Sequence, residues 1–380
     1  MSAVPLPHAH PPAGRAAPRE RLQLRRQLRR LRGLLSLMAG AEKKFLTLGI
    51  ESSCDDTSLA VLEGEHNLLA EAISSQIDSH SIYGGVVPEL ASRMHQEAIL
   101  PLLASVLAKA GIAEPAKELS LIAVTAGPGL MGSLLVGVMT AKALSQGWGV
   151  PLIGVNHLEG HIFANAAVSA ALRPPFISLI VSGGHTEVVF VRAFGDYELL
   201  GSTRDDAAGE AYDKVSKVLG LGYPGGPIID RLAAAGNPRA FTLPLPLAAT
   251  KEIEFSFSGL KTAAMTLIGK ETARGEEFPL ADLCASFQQA VVDSLLIKIK
   301  LAVRRTGVKR LAVSGGVAAN SGLRAALEEY SQAKGVELFL PPRGMCTDNA
   351  VMIAAAGYNS YMRGNRSDLR LAPNPSWSIW

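Results

Sequence analysis

The sequence predicts an α/β protein built from two similar halves. Of its 380 residues, 48% are apolar and 19% are charged, which is enough apolar material for a buried core. It has 37 glycines and only 6% aromatic residues, a composition typical of chains in which glycine turns connect strands to helices. The length itself predicts two domains or two lobes of one body.

Two strand–loop–strand patterns, about 130 residues apart, predict the duplication. The first is FLTLGIESSCDDTSLAVLEG and the second is PFISLIVSGGHTEVVFVRAF. Each is followed by a strand that ends in a glycine turn and opens a helix, LIAVTAGPGLMGS in the first half and RLAVSGGVAANSGLRAAL in the second. We expect the two halves to face each other across a ligand-binding cleft.

Residues 1–44 differ from the rest of the chain. They carry eight arginines and two lysines against two glutamates, a net charge of +8, so the whole-chain value of +3 leaves −5 for the remainder. We interpret this leader as an upstream start before Met38, disordered or not native, because the strand pattern begins only at Phe45. An organelle transit peptide and an RNA- or membrane-surface arm are the alternatives. The acidic remainder gives no support for RNA binding from net charge.

The three cysteines are widely separated, which argues against both a disulfide framework and a cysteine zinc site. The chain is therefore expected in a reducing compartment. We expect the cytoplasm, or a mitochondrion or plastid if the leader is a transit peptide. Residues 119–141 lack charge and are long enough to span a bilayer. Their central Gly-Pro-Gly instead predicts a buried strand, a loop and a helix, and we expect no membrane partner.

Four glycine turns, at residues 127–129, 182–184, 223–226 and 314–316, are candidate phosphate sites, since backbone N–H groups can approach an anion closely there. The sequence has neither a P-loop nor a dinucleotide-binding fingerprint. A structural role is the simpler interpretation of any single turn. Two S-G-G turns in corresponding places of a duplicated unit favour a nucleotide cleft.

His157 and His161 share one face if VNHLEGH is helical, as two metal ligands would. Glu159 follows the first histidine by two residues, not one, and lies on another face, which disfavours H-E-x-x-H peptidase chemistry. A carboxylate from elsewhere would complete a site for iron or zinc. Spacing does not identify that carboxylate.

Acidic residues gather in ESSCDDT (Glu51, Asp55, Asp56) and in DDAAGEAYDK, which we interpret as a loop entering a helix. For Asp205 and Asp206 the simpler interpretation is capping of that helix, whereas Asp213 lies deeper within it. Cys54 and Cys346 have no histidine within their motifs, so we assign no nucleophile.

Ten blocks in order over residues 45–365, among them GIESSCDDTS, VNHLEGH, DDAAGEAYDKVSK and CTDNAVMIA, resemble the bacterial tRNA adenosine threonylcarbamoyltransferase family. The resemblance implies an actin-like, sugar-kinase-like fold of two RNase H-like lobes. The lobes would be residues 45–155, joined by about 351–380, and residues 156–350. Two departures, GIESSCD in place of GIETSCD and Met94 in ASRMH, affect no implied ligand.

The resemblance implies transfer of the threonylcarbamoyl group of threonylcarbamoyl-AMP to the N6 amine of the adenosine 3′ to the anticodon, in tRNAs that read codons beginning with A. It implies His157, His161 and Asp348 as metal ligands, for Fe(II) or alternatively Zn(II). The contacts it implies for the adenylate are Ile180, Val181, Ser182, Gly183, Gly184, Asp213, Gly226 and Asn320. The implied partners are the tRNA anticodon loop, a TsaB-like paralogous subunit and a TsaE-like ATPase.

Asp55 is our candidate to accept the amine proton, since it lies on the hairpin that should face the cleft. Three other functions stay open: a small-molecule kinase or ATPase of the same fold, a nucleotide-dependent scaffold and a metallopeptidase. The histidine pair distinguishes the kinase, which needs only magnesium on carboxylates and phosphates.

Overall fold

A computed structural model describes residues 44–274 and 279–380. The expectation for the basic leader therefore falls outside the described residues, apart from Lys44.

Within the described residues, ten strands form two five-stranded mixed sheets. The first sheet contains β1 (Leu46–Glu51), β2 (Asp56–Glu63), β3 (Asn67–Ser75), β4 (Leu121–Gly127) and β5 (Leu152–Asn156). The second contains β6 (Phe176–Val181), β7 (Thr186–Ala193), β8 (Asp196–Ser202), β9 (Arg310–Ser314) and β10 (Glu337–Phe339).

Eleven helices are described. They are α1 (Ile77–Ser81), α2 (Pro88–Lys109), α3 (Pro115–Glu118), α4 (Met131–Trp148), α5 (His157–Val168), α6 (Ala208–Val218), α7 (Gly225–Ala233), α8 (Ser258–Arg274), α9 (Leu280–Thr306), α10 (Ser321–Lys334) and α11 (Ala350–Met362). Two short 3-10 helices, Gly316–Ala319 and Arg343–Met345, precede α10 and α11.

The two sheets have the same topology, which confirms the predicted duplication. Their orders are β3-β2-β1-β4-β5 and β8-β7-β6-β9-β10. In each sheet, the first three strands in chain order form an antiparallel meander. The fourth strand pairs in parallel with the first, and the fifth pairs in parallel with the fourth. Both predicted hairpins are present, β1 with β2 and β6 with β7.

The uncharged stretch 119–141 folds as predicted, into a strand, a loop and a helix. Strand β4 is buried at every position and lies parallel to β1 and β5. Of the described helices, α9 has the length and apolar composition of a membrane-spanning helix, and 61% of its most apolar window is buried inside the protein. Length and composition alone do not separate such a helix from a core helix.

Helices α5 and α11 lie at the centre of the molecule, where one of its three core clusters draws on both sheets. They touch at Gly160, where a Cβ would lie 2.7 Å from Ile353 Cδ1. Helix α11 also packs on the first sheet, so closely that a Cβ at Gly357 would lie 2.4 Å from Ala123 Cβ. Glycine at these positions brings the starts of both helices together.

Candidate metal centre and nucleotide cleft

The start of α5 is set by Asn156, the last residue of β5. Its Oδ1 accepts hydrogen bonds from the N–H groups of Leu158 (2.8 Å) and Glu159 (3.4 Å), and its Nδ2 donates to the carbonyl of Trp377 (2.9 Å). Capping of this kind satisfies amides that have no partner within the helix. His157 is thereby the first residue of α5, and His161 follows one turn later on the same face, as the spacing predicted.

Asp348 reaches the histidines from the segment before α11. Asn349 caps that helix by accepting the N–H of Met352 at 3.0 Å, which places Asp348 just outside its start. Asp348 Oδ1 lies 3.5 Å from His157 Nε2 and 3.3 Å from His161 Nε2. The three candidate ligand atoms all lie within 4.8 Å of one another. Residues almost two hundred positions apart thus meet where two helices begin.

The donor set can hold a divalent metal ion. Both ring nitrogens of His161 are buried: Nδ1 has no hydrogen-bond partner among the described residues, and Nε2 has only Asp348 Oδ1, 3.3 Å away and outside hydrogen-bond geometry. Unpaired buried imidazole nitrogens are costly unless a ligand satisfies them. Two imidazoles and one carboxylate are a donor set that suits Fe(II) or Zn(II).

Glu51 orients His157 from behind. It ends β1, is fully buried, and its Oε2 accepts from His157 Nδ1 at 3.1 Å and from the Thr125 hydroxyl at 2.6 Å. Its Oε1 accepts from the Ser53 N–H at 2.6 Å. Because Glu51 holds the proton on Nδ1, Nε2 is the nitrogen that faces Asp348, and it is the one that can bind an ion once its own proton has left. Sequence reasoning noted Glu51 only as one of an acidic group and missed this role.

Charges compensate each other inside the centre. Burial alone would lower the pKa of His157, but the carboxylates of Asp348 and Glu51 outweigh it and raise the pKa to about 9. Against its own burial, the histidines hold the pKa of Asp348 well below its usual range. His185, which sequence reasoning also missed, has its ring 6.4 Å from that of His157. Burial and the two histidines lower its pKa to about 4, so it is neutral near pH 7.

Glu159 lies away from the candidate ligands, as predicted. Its Oε1 accepts from the Tyr197 hydroxyl at 2.7 Å and from Arg363 at 3.1 Å. These contacts tie α5 to β8 and to the end of α11. Glu159 is therefore not placed as the general base of a zinc peptidase.

The glycine turns of the second half lie next to one another. The N–H of Gly209, in α6, donates to the carbonyl of Ser182 at 3.1 Å, which seats the start of α6 against turn 182–184. Gly183 and Gly184 are exposed, and a Cβ at either would meet no atom within 4 Å. A Cβ at Gly315 would lie 2.3 Å from the carbonyl oxygen of Val181, so turn 314–316 adjoins the end of β6. The backbone here is open to a ligand.

Asp213 connects α6 to α7. Its Oδ1 accepts the N–H of Gly225 at 2.7 Å, and the N–H of Gly226 also bonds to it. Burial raises the pKa of Asp213 to about 6, although both amides oppose the rise. Asp213 thus holds the turn 223–226 at the N-terminus of α7.

Asp55 occupies the loop between β1 and β2 and interacts electrostatically with both Asp348 and Asp213. Burial raises its pKa, and the negative charge of Asp348 adds to the rise. The charge of Asp55 in turn contributes to the raised pKa of Asp213. Ser53, in the same loop, has its Oγ 3.2 Å from His157 Nδ1, so the first hairpin faces the second half, as expected.

Comparison with known proteins identifies the family of the chain. Residues 67–355 match the profile of the TsaD family, described as tRNA N6-adenosine threonylcarbamoyltransferase. Proteins with that name from Dictyoglomus turgidum and Clostridium beijerinckii are 50% and 49% identical over 330 and 336 residues, which is 87% and 88% of this chain and 98% of each relative. The chain belongs to the tRNA N6-adenosine threonylcarbamoyltransferase family. It is accordingly a transferase.

Solved structures show the fold. HypF from T. kodakarensis has a TM-score of 0.56 at 17% identity and matches over 84% of this chain and 48% of its own. Component A of the Acidaminococcus fermentans (R)-2-hydroxyglutaryl-CoA dehydratase has a TM-score of 0.50 at 16% identity, over 84% of this chain and 99% of its own. The fold is actin-like and sugar-kinase-like, as the resemblance implied.

The side chain of Asn320 already has partners within the protein. Its Oδ1 caps α10 by accepting the N–H of Leu323 at 2.9 Å, and its Nδ2 donates to Gln288 Oε1 at 2.7 Å. One amide hydrogen and one oxygen lone pair are left for a ligand. Gln288, which the sequence did not single out, sets the orientation of this amide.

The capping interpretation for Asp205 and Asp206 is wrong for their own helix. Residue 207 precedes α6 and no side chain caps it. Asp205 instead accepts from the N–H groups of Phe257 (2.8 Å) and Ser258 (3.1 Å), at the start of α8. Asp206 forms an ion pair with Lys261 at 2.5 Å and another with Lys214. Asp205 and Asp206 therefore attach the segment FSFSGLK, residues 255–261, to the loop that precedes α6.

Proposed function

We propose that the chain transfers the threonylcarbamoyl group of threonylcarbamoyl-AMP to the N6 amine of the adenosine 3′ to the anticodon, in tRNAs that read codons beginning with A. The observation that carries the proposal is the meeting of His157, His161 and Asp348 beside exposed glycine turns. Membership of the family and about 50% identity to its named members support it.

The reaction needs an activated donor, because the exocyclic amine of adenine is a weak nucleophile. In the transfer, the amine nitrogen bonds to the carbonyl carbon of the mixed anhydride, the bond from that carbon to the phosphate oxygen breaks, and AMP leaves. The amine gives up one proton. We assign that proton to Asp55, whose raised pKa suits a group that must accept it.

Each part of the cleft has a role in the proposal. The amides of turn 182–184 and of Gly226 bind the phosphate charge, with Asp213 holding the second turn in place. Ile180 and Val181 are buried at the end of β6, so in the proposal they support the first turn from the core, and Asn320 binds the adenylate through its remaining amide hydrogen. Alignment of two reactants in this way lowers the barrier by up to about 7–11 kcal/mol.

We assign the metal site to His157, His161 and Asp348, for Fe(II) with Zn(II) as the alternative. When bound, such an ion supplies Lewis-acid polarisation of the acyl carbonyl. Glu51 keeps the Nδ1 proton of His157 in place and so keeps its Nε2 free for the ion.

We further propose that residues 45–155 with 351–380 form one lobe and residues 156–350 the other, with the adenylate between them. A TsaB-like subunit and a TsaE-like ATPase would complete the system. An exposed apolar stripe on adjacent helices supports a protein partner: Met131, Leu135 and Met139 on α4, at 54%, 46% and 52% exposure, and Leu100 on α2 at 60%. A charge at Met139 should prevent copurification of that subunit.

The test is mass analysis of nucleosides from tRNA incubated with the chain, its partners, threonine, bicarbonate and ATP. A second reaction supplies purified threonylcarbamoyl-AMP in place of the small substrates. Appearance of the threonylcarbamoyl mass increment on adenosine in both reactions supports the proposal. Its absence in the second, with the partners present, would contradict it.

A further inference from the structure

A short segment of the first half is anchored beside the loop that carries Asp55. His80 in α1 is fully buried, with its Nε2 3.0 Å from Gln76 Oε1 and its Nδ1 accepting the N–H of Val87 at 3.3 Å. Gln76 in turn donates its N–H to the carbonyl of Asp55 at 3.0 Å and its Nε2 to Ala91 at 3.3 Å. The segment is thus joined both to the Asp55 loop and to α2.

This anchored segment exposes apolar surface. Ile82 and Tyr83 are 77% and 58% exposed, and Ile82 is the most exposed large apolar side chain of the described residues. They lie two and three residues after the buried His80 and are neighbours in the chain, so together they present one apolar surface to solvent.

The same segment reaches the second half. A Cβ at Gly84 would lie 3.3 Å from Nζ of Lys217, an exposed residue of α6. Lys217 follows Asp213 by four residues and so shares its helix face, toward the cleft. Within residues 44–274 and 279–380, Lys217 forms no ion pair with a carboxylate. Gly84, the residue after Tyr83, therefore lies beside a cation that has no ion pair in the described part of the chain.

We propose that Ile82, Tyr83 and Lys217 form a platform for the unpaired bases of the tRNA anticodon loop that flank the target adenosine. Tyr83 stacks on a base, Ile82 extends the apolar contact, and Lys217 binds a backbone phosphate. This inference rests on the proposed function, since an adenosine must be splayed into the cleft past this segment. An exposed aromatic ring one residue from the backbone that adjoins Lys217 matches single-stranded nucleic acid, which presents both a π-face and a phosphate at each step.

The experiment measures dissociation constants of the chain, with its partners, for an unmodified anticodon stem–loop RNA. Tyr83→Ala should weaken binding by about 5- to 150-fold, the range for loss of one base–aromatic stack, whereas Tyr83→Phe should bind within about twofold of wild type. Lys217→Gln should weaken binding and reduce its salt dependence. Leu68→Ala, at a 40% exposed leucine of the edge strand β3, is the matched control.

A hairpin with the same stem but a tight tetraloop tests for the loop itself, and its binding should not respond to Tyr83→Ala. Threonylcarbamoyl-AMP binding by the same variant should equal that of wild type, which also shows that the variant folds. Unchanged stem–loop binding by Tyr83→Ala, in a system whose wild type modifies tRNA, would overturn the platform and leave the proposed function standing. Loss of a partner subunit with unchanged RNA binding would assign the surface to protein and overturn it too. If wild type itself never modifies tRNA, the proposed function fails instead.

Discussion

Glu51 and His157 form a buried carboxylate–imidazole pair, with Oε2 3.1 Å from Nδ1, which joins the end of the first strand to the start of the central helix α5. The Glu51 carboxylate also accepts hydrogen bonds from the hydroxyl of Thr125 and from the N–H of Ser53. The carboxylate is therefore held still, and it holds the imidazole in turn. Glu51 thus positions the candidate metal ligand His157, although the two residues are 106 positions apart in the chain.

Glu51→Gln is expected to weaken metal binding by about 10- to 100-fold, because the amide no longer stabilises one tautomer and one ring orientation of His157. Competition with a chromogenic chelator measures the affinity. Glu159→Gln is the matched control, since Glu159 lies on the same helix but bonds to Tyr197 and Arg363. Equal affinities for the Glu51→Gln variant and wild type would contradict the orienting role.

Replacing His157 and His161 together by alanine is expected to abolish metal binding and to lower threonylcarbamoyl transfer by at least about a hundredfold, because Lewis-acid polarisation contributes several kcal/mol. Metal content by plasma mass spectrometry and modified nucleoside by mass analysis are the two readouts. His66→Ala, at a histidine paired with Glu65 in the turn between β2 and β3, should change neither. Full retention of ligand binding and turnover without the histidines would favour a kinase-type enzyme of the same fold.

Glu187 is expected to make stability depend on pH. Burial raises its pKa from 4.5 to about 7, and its Oε2 has no hydrogen-bond partner among the described residues. Between these two values the folded protein holds a proton that the unfolded chain has released, so stability falls as pH rises through this range. Glu187→Gln removes this dependence.

The Glu187→Gln variant should therefore equal wild type near pH 4 and exceed its free energy of unfolding by about 1–2 kcal/mol near pH 8, less than the full shift because the carboxyl is partly solvated. Urea unfolding at both pH values measures the difference. A variant that is no more stable than wild type at pH 8 would show that the carboxylate is well solvated.

Lys298 is expected to be a large single contributor to the stability of the second half. Its buried Nζ contacts the carbonyls of Leu247 (2.7 Å) and Glu252 (2.8 Å) and both oxygens of Thr250 (3.1 and 2.9 Å). Leu247 is also the one described residue other than glycine with a positive φ, at 57°. The ammonium holds this strained loop closed.

Lys298→Met should lower the free energy of unfolding by about 2–4 kcal/mol, because several buried acceptors lose a charged donor. The midpoint of urea unfolding measures it. Lys309→Met, at an exposed lysine beyond the end of α9, should shift the midpoint little. Similar shifts for the two variants would mean that water replaces the ammonium without cost.

Local patterns in the sequence determined the two hairpins, the strand–turn–helix units and the common face of His157 and His161. Each depends on residues within about twenty positions of one another, where hydrophobic period, glycine turns and helical spacing act directly. The duplication followed from the same patterns occurring twice. The uncharged stretch 119–141 was assigned correctly because a central Gly-Pro-Gly cannot continue a helix.

Only the tertiary structure decided which distant groups meet. Asp348 approaches the histidines because glycines let α5 and α11 pack closely, and Glu51 reaches His157 because β1 ends beside the start of α5. Asp205 caps α8 and not its own helix, and Asn320 is bound by Gln288, for the same reason. Contacts of this kind are set by the packing of whole elements against one another, and no local period in the chain encodes the partner.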